Sequence, residues 1–341
     1  MKKVRILALA AVGLAALMGF AAAQTVQING AGATFPYPIY SKWFAEYNKL
    51  HPEVAINYQS IGSGGGIRQL TNQTVFFGAS DGPMTTEQLQ AAPGPVMHLP
   101  TVLGAVVPIY NIEGVTGELK FTGKVIADII MGKITKWNDN AITALNPGAK
   151  LPATDITVAH RSDGSGTTYI FVDYLSKISP EFKKTIGIAT AVNWPVGVGG
   201  KGNEGVAGLV KQTPGSFGYV ELIYALQNKI SYGSVQNMEG EFVSASLQGV
   251  TACAQVAAKN MPADFRVSIT NAPGKGVYPI SSFTWMLLYT SPSDRQRSKI
   301  MVDFMKWALT DGQKYAADLG YAPLPQEVVA MELEAIKKIK T

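Results

Sequence analysis

The chain has 341 residues and a formal net charge of +5, and 16% of its residues are charged, against roughly 25% in an average globular protein. Its length is enough for two domains with sizeable hydrophobic cores. Cys253 is the single cysteine, so no intrachain disulfide can form, and the three histidines lie far apart without metal-binding spacing. These features exclude a disulfide scaffold and argue against a metal centre, and we expect no cofactor.

The first 23 residues have the pattern of a secretory signal peptide. Lys2, Lys3 and Arg5 precede an apolar run that ends in three small residues, AAA. A membrane anchor is the alternative, but the run at residues 6–23 is close to the lower limit of about 17–18 residues for a span, and no stop-transfer charges follow it. We therefore expect residues 1–23 to be removed, leaving an exported, soluble protein. Much of the positive charge would leave with them, which weakens any case for nucleic-acid binding.

Strand and helix patterns alternate along the rest of the chain. Strand-like runs occupy residues 26–35, 54–63, 74–81, 101–111, 155–161, 215–222 and 279–289. Helical patterns occupy residues 38–50, 66–73, 85–92, 122–132, 167–178, 202–212 and 293–310. This alternation predicts an α/β fold with mostly parallel sheets.

Two of the predicted strands, 101–111 and 279–289, are long and apolar, and they bracket the middle of the chain. We expect the chain to leave one lobe through the first of them, to build a second lobe, and to return through the other. One lobe would then comprise residues 24–106 and 281–341, and the second would comprise residues 107–280. This is the layout of a hinged, two-lobed protein with a cleft.

Four junctions between a strand and the next helix carry small, hydroxyl or acidic residues. They are GAGATFP with Thr34 and Phe35, IGSGGG with Ser63, FGASDGP with Asp81, and RSDGSGT with Ser165, Gly166 and Thr167. Helix N-termini present free N–H donors and a positive dipole end, which suits tetrahedral oxyanions. One such junction alone usually means only a helix cap, and IGSGGG is neither a Walker loop nor a dinucleotide fingerprint. Recurrence at several strand ends, where α/β folds place ligands, favours an oxyanion site.

Arg161 is the first residue of the fourth junction. A lone arginine is more often a surface ion-pair partner. Here Asp163 lies two residues further on, which is the same side of an extended backbone, so its carboxylate can clamp the guanidinium. The alternative is that Asp163 is a simple turn residue, and we expect the clamp.

These stretches, with several others, resemble a known family. The motifs are GAGATFPYPIYSKW, IGSGGG, FGASDGP, GKITKWND, RSDGSGTTY, WPVGVGGKGNEGVAG, PGSFGYVE and YAPLP. In this order they are similar to those of the phosphate-binding proteins of bacterial high-affinity phosphate ABC transporters, over nearly the whole chain after residue 23. The resemblance implies a type II periplasmic-binding-protein fold, with two lobes, a ligand cleft between them and two hinge crossings. It also implies a periplasmic monomer, not an enzyme, that delivers orthophosphate to the permease and ATPase complex of an importer.

The resemblance further implies which residues bind the phosphate. Carried over by motif, they are Thr34, Phe35, Ser63, Asp81, Arg161, Ser165, Gly166 and Thr167. Main-chain N–H groups and hydroxyls would donate to the ligand, and Arg161 would be the single cation on it, with Asp163 supporting the guanidinium from behind. Asp81 would instead accept a hydrogen bond from the ligand. The chain departs from the family at Gly64, where serine is common, and the stretch around Cys253 matches no family motif.

The role of Asp81 also follows from elementary chemistry. A carboxylate beside an anion is unfavourable unless the ligand brings a proton for it to accept. Phosphate near neutral pH carries at least one proton and sulfate carries none, so Asp81 would accept a hydrogen bond from phosphate and repel sulfate. A site built around a ligand hydroxyl can reject an analogue without it by roughly 10⁴–10⁵. We therefore expect Asp81 to select phosphate against sulfate.

Other functions fit the sequence less well. A secreted phosphatase or serine hydrolase could use Ser165 as a nucleophile, but His160 should point away from Arg161 on a strand, and the chain has no GxSxG elbow. A binding protein for sulfate or molybdate conflicts with Asp81. Trp194 is either a cleft-edge residue that moves on closure or a loop residue that packs locally.

Overall fold

The computed structural model describes residues 25–115 and 117–341, and the predicted signal peptide lies outside the described residues. Within those two ranges, every helix is too short or too polar to cross a lipid bilayer. The fold is mixed α/β. Its strands are β1 (Val26–Gly32), β2 (Val54–Ser60), β3 (Phe77–Ser80), β4 (Val96–Asn111), β5 (Lys120–Phe121), β6 (Thr157–Arg161), β7 (Val198–Gly200), β8 (Ser216–Glu221), β9 (Ser231–Tyr232), β10 (Ser234–Gln236), β11 (Phe242–Val243) and β12 (Ser281–Tyr289).

Nine of these strands form one sheet. The order is β2–β1–β3–β12–β4–β8–β6–β7, with β9 also paired to β4, while β11, β10 and β5 form a separate small sheet. β1 runs parallel to β2 and β3, and β6 runs parallel to β7 and β8. β4 and β12 are antiparallel to their neighbours. The predicted parallel pairing is therefore confirmed for both flanks, and the two long central strands interrupt it.

Strand β4 joins two halves of the large sheet. Its residues 96–105 pair with β12, and its residues 106–111 pair with β8. We call the part with β1, β2, β3 and β12 the first half-sheet, and the part with β6, β7, β8 and β9 the second half-sheet. Both β4 and β12 are buried along almost their whole lengths, as their apolar sequences predict.

Helices flank the strands of both half-sheets. They are α1 (Tyr37–Leu50), α2 (Ser63–Thr71), α3 (Thr86–Ala91), α4 (Gly123–Ile130), α5 (Asn140–Thr143), α6 (Gly166–Ile178), α7 (Pro180–Thr185), α8 (Gly202–Gln212), α9 (Leu222–Asn228), α10 (Leu247–Ala258), α11 (Arg295–Leu309) and α12 (Gln326–Ala335). Short 3₁₀ turns lie at Asp311–Tyr315, Ala317–Leu319 and Ile336–Lys338.

Every strand and helix predicted from the sequence is present, with ends shifted by a few residues. The largest difference is at β4, which begins at Val96 and not at residue 101. Pro100 lies there beside a β-bulge, because β12 pairs Thr284 with Val102 and Trp285 with Pro100. A proline cannot donate to the ladder, and the bulge accommodates it.

Helix α1 packs against the first half-sheet through an apolar face. Ile39, Trp43, Phe44 and Tyr47 are buried, and so is Tyr40. The indole Nε1 of Trp43 donates a 2.7 Å hydrogen bond to the carbonyl oxygen of Gly312, in the 3₁₀ turn that follows α11. This contact ties the N-terminal helix to the C-terminal part of the chain.

Helix α2 approaches β1 at a glycine. A Cβ atom on Gly66 would lie 2.6 Å from the carbonyl oxygen of Ala31 and closer still to the Cα atom of Gly32. Both obstacles are backbone atoms, which cannot move aside cheaply, so this spacing requires glycine. The close approach holds the start of α2, with Ser63, beside the end of β1.

We expect Gly66→Ala to lower the free energy of unfolding by about 1–3 kcal/mol, as overpacking does in well-packed interiors. Gly208→Ala is the matched control, because a Cβ atom on Gly208 in α8 meets no atom within 4 Å. The control should raise stability by about 0.5–1 kcal/mol, since alanine is the better helix former. Urea denaturation of both variants measures the difference, and equal effects would contradict the close packing of α2 on β1.

Candidate anion-binding site

The four junctions meet where the two half-sheets join. Six of their polar side chains are at most 3% exposed: Thr34, Ser63, Asp81, Arg161, Ser165 and Thr167. Phe35 is also buried. A Cβ atom on Gly166 would lie 2.5 Å from both Asp81 Oδ2 and Ser63 Oγ. The junction that follows β6 therefore touches the junctions that follow β2 and β3, so the two walls of the cleft, one from each half-sheet, are in contact and the cleft is closed.

Three tyrosines hold the loop at residues 33–35 by its carbonyl oxygens. The hydroxyl-to-carbonyl pairs are Tyr58 to Ala33 (2.8 Å), Tyr224 to Thr34 (2.6 Å) and Tyr321 to Phe35 (2.6 Å). Burial raises the pKa of each of these tyrosines, so each keeps its proton and donates. Because the carbonyl oxygens are occupied, the N–H groups of Thr34 and Phe35 are the main-chain groups of this loop that remain for a ligand.

Arg161 and Asp163 form the predicted clamp. Arg161 Nε donates to Asp163 Oδ1 at 2.8 Å, and Nη2 donates to Oδ2 at 2.6 Å. Burial raises the pKa of Asp163, but the hydrogen bonds and charge of Arg161 outweigh it and hold the pKa below its ordinary value. The remaining nitrogen, Nη1, lies 3.4 Å from Thr167 Oγ1. The clamp fixes the plane of the guanidinium, and Nη1 is left facing Thr167 at the start of α6.

Ser165 caps α6 and leaves the first N–H groups of that helix unpaired. Its Oγ accepts from the N–H of Thr168 at 2.9 Å, and its own N–H donates to the carbonyl of Thr190 at 2.7 Å. The N–H groups of Gly166 and Thr167 have no acceptor within the helix, because they belong to its first turn. The helix dipole adds positive potential at the same point. This is the local geometry of an anion site.

Asp81 is the acid among these donors. Its Oδ1 accepts a hydrogen bond from Thr284 Oγ1 at 2.7 Å. Its Oδ2 is buried and has no hydrogen-bond partner within residues 25–115 and 117–341. Burial raises the pKa of Asp81 to about 7, against the lowering effects of Thr284 and of the charge on Arg161. Oδ2 is therefore a buried acceptor, when ionised, that faces the start of α6.

Three residues of the site were missed by the sequence reasoning: Asn203, Glu221 and Thr284. Asn203, at the start of α8, donates through Nδ2 to the hydroxyl oxygens of Thr34 at 2.7 Å and Thr167 at 3.0 Å. Glu221 caps α9 by accepting a backbone N–H at 2.9 Å, and its other carboxyl oxygen has no partner in the part of the chain described. Burial raises the pKa of Glu221 well above its ordinary value.

His160 is turned away from the cleft. Its ring stacks on Trp194 with 5.2 Å between ring centroids, and Trp194 also contacts Tyr219 at 5.9 Å. Trp194 thus packs against side chains of β6 and β8. Among the residues described, no group of three or more His, Cys, Asp or Glu side chains could hold a metal ion. The arrangement offers many donors, one cation and one acceptor to an enclosed oxyanion.

A family model and curated relatives match most of the chain. Residues 20–312 match the family model described as the PBP superfamily domain. The chain is 48% identical over 307 residues to the phosphate-binding protein PstS of Xylella fastidiosa strain Temecula1, which covers 90% of this chain and 84% of that protein. The chain belongs to the PstS family of phosphate-binding proteins.

Solved structures share the fold. One is the high affinity periplasmic phosphate-binding protein PfluDING bound with phosphate, with a TM-score of 0.73 and 20% identity over 90% of this chain and 93% of that one. Another is a phosphate ABC transporter substrate-binding protein from Clostridium perfringens with bound phosphate, with a TM-score of 0.65 and 18% identity over 88% of this chain and 100% of that one. The predicted two-lobed α/β fold is confirmed.

The raised pKa of Asp81 predicts a pH dependence of stability. Because the pKa in the folded, ligand-free protein is about 7 and the ordinary value is 3.8, the folded state binds more protons than the unfolded state between these values. The free energy of unfolding therefore falls as the pH rises from about 4 to about 7. Asp81→Asn removes this contribution, so its stability relative to wild type should rise over that range by up to about 4 kcal/mol.

Chemical denaturation of the ligand-free proteins across this pH range measures the effect. Asp311→Asn is the control, since Asp311 is an exposed aspartate, and its stability should follow the wild-type profile. If the free energy of unfolding changed equally with pH in Asp81→Asn and in wild type, the carboxyl of Asp81 would have no raised pKa.

Proposed function

We propose that this chain captures inorganic phosphate between its two lobes and delivers it to a membrane ABC importer. The observation that carries the proposal is the buried Oδ2 of Asp81, an acceptor without a protein partner in the described residues, placed among donors. An anion that fits such a site must bring a proton for that oxygen. Phosphate does so near neutral pH.

The proposed ligand contacts are those predicted from the sequence. The main-chain N–H groups and side chains concerned belong to Thr34, Phe35, Ser63, Arg161, Ser165, Gly166 and Thr167, with Asp81 as the acceptor. Their burial and their convergence at the join of the two half-sheets support this assignment. A hydrogen bond to a charged group contributes about 1.5–3 kcal/mol net, so many uncharged donors can hold the anion with one arginine.

Selection against sulfate would come from Asp81. Sulfate has no proton at neutral pH, so it would place an oxygen lone pair against Oδ2, and burial prevents water from screening the two groups. The clamp of Asp163 on Arg161 acts on both anions alike, because it only fixes the orientation of the guanidinium. The site then recognises an anion by its proton as well as by its charge.

We place one lobe at residues 24–106 and 281–341 and the second at residues 107–280. The switch in the pairing of β4, from β12 to β8 after residue 105, supports this division and the two hinge crossings. Hydrogen bonds between the lobes support closure over the ligand: the N–H of Gly64 donates to the carbonyl of Gly164 at 2.9 Å. A Cβ atom on Gly64 would lie 3.1 Å from the Cα of Gly164, so the glycine at this position suits a tight contact.

The same proposal covers the cellular setting. The protein would be exported by the signal peptide at residues 1–23, act in the periplasm as a monomer, and dock on the permease and ATPase complex when closed. It would need no cofactor and would not be an enzyme, since Ser165 is occupied as a helix cap and His160 stacks on Trp194 away from the cleft.

Titration calorimetry on the ligand-free protein tests the selectivity. Wild type should bind phosphate tightly and reject sulfate, and Asp81→Asn should narrow the ratio of the two affinities by at least about 100-fold, because the unpaired carboxylate is gone. Asp163→Asn is the matched control: it loosens Arg161 and should weaken binding of both anions without narrowing the ratio. Sulfate binding by wild type at the phosphate affinity would refute the proposed filter.

Incubation with a chromogenic phosphate ester tests the alternative that the protein is a phosphatase. We expect no turnover above the buffer rate, because Ser165 Oγ accepts the helix-cap hydrogen bond from Thr168 and the ring of His160 stacks on Trp194. Turnover that is abolished by Ser165→Ala would overturn the assignment as a binding protein.

A further inference from the structure

The side-chain amide of Asn203 has only one orientation that satisfies its neighbours. Its Oδ1 lies 2.9 Å from the backbone N–H of Glu221, which can only donate, so the oxygen must face it. The Nδ2 group therefore faces the two threonines. Its two hydrogens are both used, one on the hydroxyl oxygen of Thr34 at 2.7 Å and one on that of Thr167 at 3.0 Å. The amide is 0% exposed, so water does not compete for these bonds.

Each threonine hydroxyl is thereby turned into a donor. Thr34 Oγ1 also accepts the backbone N–H of Asn203 at 3.2 Å, and Thr167 Oγ1 also lies 3.4 Å from Arg161 Nη1. A hydroxyl has two lone pairs and one proton. With both lone pairs directed at nitrogen donors, the proton of each hydroxyl must point elsewhere, towards the cleft between the two walls.

We propose that Asn203 is a positioning residue that fixes both threonine hydroxyls as donors to the bound oxyanion. Thr34 lies on one wall of the cleft and Thr167 on the other, so a single amide makes the hydroxyl on each wall a hydrogen-bond donor to the ligand. Asp81 is then the one side chain of the set that accepts. The inference rests on the proposed function, since it assumes that the anion is inorganic phosphate.

The alternative is that Asn203 only pins α8 to β8 through the N–H of Glu221. The two roles separate in Asn203→Asp, which has the same shape and keeps an oxygen for that N–H. The second carboxylate oxygen would then accept from the hydroxyls of Thr34 and Thr167, which would turn their protons away from the ligand. It would also add a negative charge close to the anion.

Phosphate affinity should fall on the order of 10–100-fold in Asn203→Ala and on the order of 100–1,000-fold in Asn203→Asp at about pH 8. In Asn203→Asp, the deficit relative to wild type should shrink at least tenfold at about pH 5.5, because the buried introduced carboxyl regains a proton and can donate again. If Asn203 only held α8 against β8, the loss of phosphate affinity in Asn203→Asp would not change with pH.

A double-mutant cycle provides a second readout. In a background of Thr34→Val and Thr167→Val, Asn203→Ala should weaken phosphate binding by less than about threefold, since the hydroxyls through which it acts are absent. Calorimetry with inorganic phosphate, on variants whose folding is verified by denaturation, gives all of these affinities.

The outcomes distinguish the two proposals. Wild-type protein that fails to bind phosphate would overturn the proposed function and this inference with it. Two results would overturn only the role of Asn203, provided that the wild-type protein binds phosphate. One is an unchanged phosphate affinity in Asn203→Asp. The other is an equal loss of phosphate affinity on Asn203→Ala with and without the two threonine substitutions.

Discussion

The site depends on one buried carboxyl oxygen. Asp81 Oδ2 has been removed from water without receiving a hydrogen bond from the described residues, and this desolvation is the largest cause of its raised pKa. A buried unpaired acceptor is costly unless a ligand satisfies it. In the proposed complex, the ligand proton supplies the missing bond. The stability of the closed form and its selectivity then have the same physical origin.

The surrounding structure is organised to present donors around that oxygen. Tyrosine hydroxyls occupy the carbonyl oxygens of the 33–35 loop, so that its N–H groups remain for the anion. Asp163 holds the guanidinium of Arg161 in one plane, and Ser165 caps α6 without using the first N–H groups of the helix. The long strand β4 brings these elements together, because it pairs with both half-sheets.

Much of this could be predicted from the sequence because the signals are local. Hydrophobic periodicity located the principal strands and helices, and strand-to-helix junctions located the polar residues that the fold gathers. The clamp of Asp163 on Arg161 is a contact between residues two apart, so it was predictable too. The ligand roles of these residues remain predictions, since the evidence for them is geometric.

The missed features depend on contacts between residues far apart in the chain. Asn203 and Glu221 lie within motifs that the sequence displays, but their roles require Thr34 and Thr167 on opposite walls. Thr284 is one polar residue in an apolar strand, and nothing nearby in sequence indicates that it faces Asp81. The helix α10 around Cys253 matched no motif. There the thiol is buried, and burial raises its pKa to about 12.

The central claim is that the site recognises the proton of its ligand. The monofluorophosphate dianion tests it most directly, because it has the charge and nearly the size of hydrogen phosphate but carries no proton. Competition of this anion against phosphate on the wild-type protein should show rejection by roughly 10⁴-fold, as for a site that loses a matched hydroxyl. Binding within about tenfold of phosphate would show that charge and size determine recognition, and would contradict the role given to Asp81.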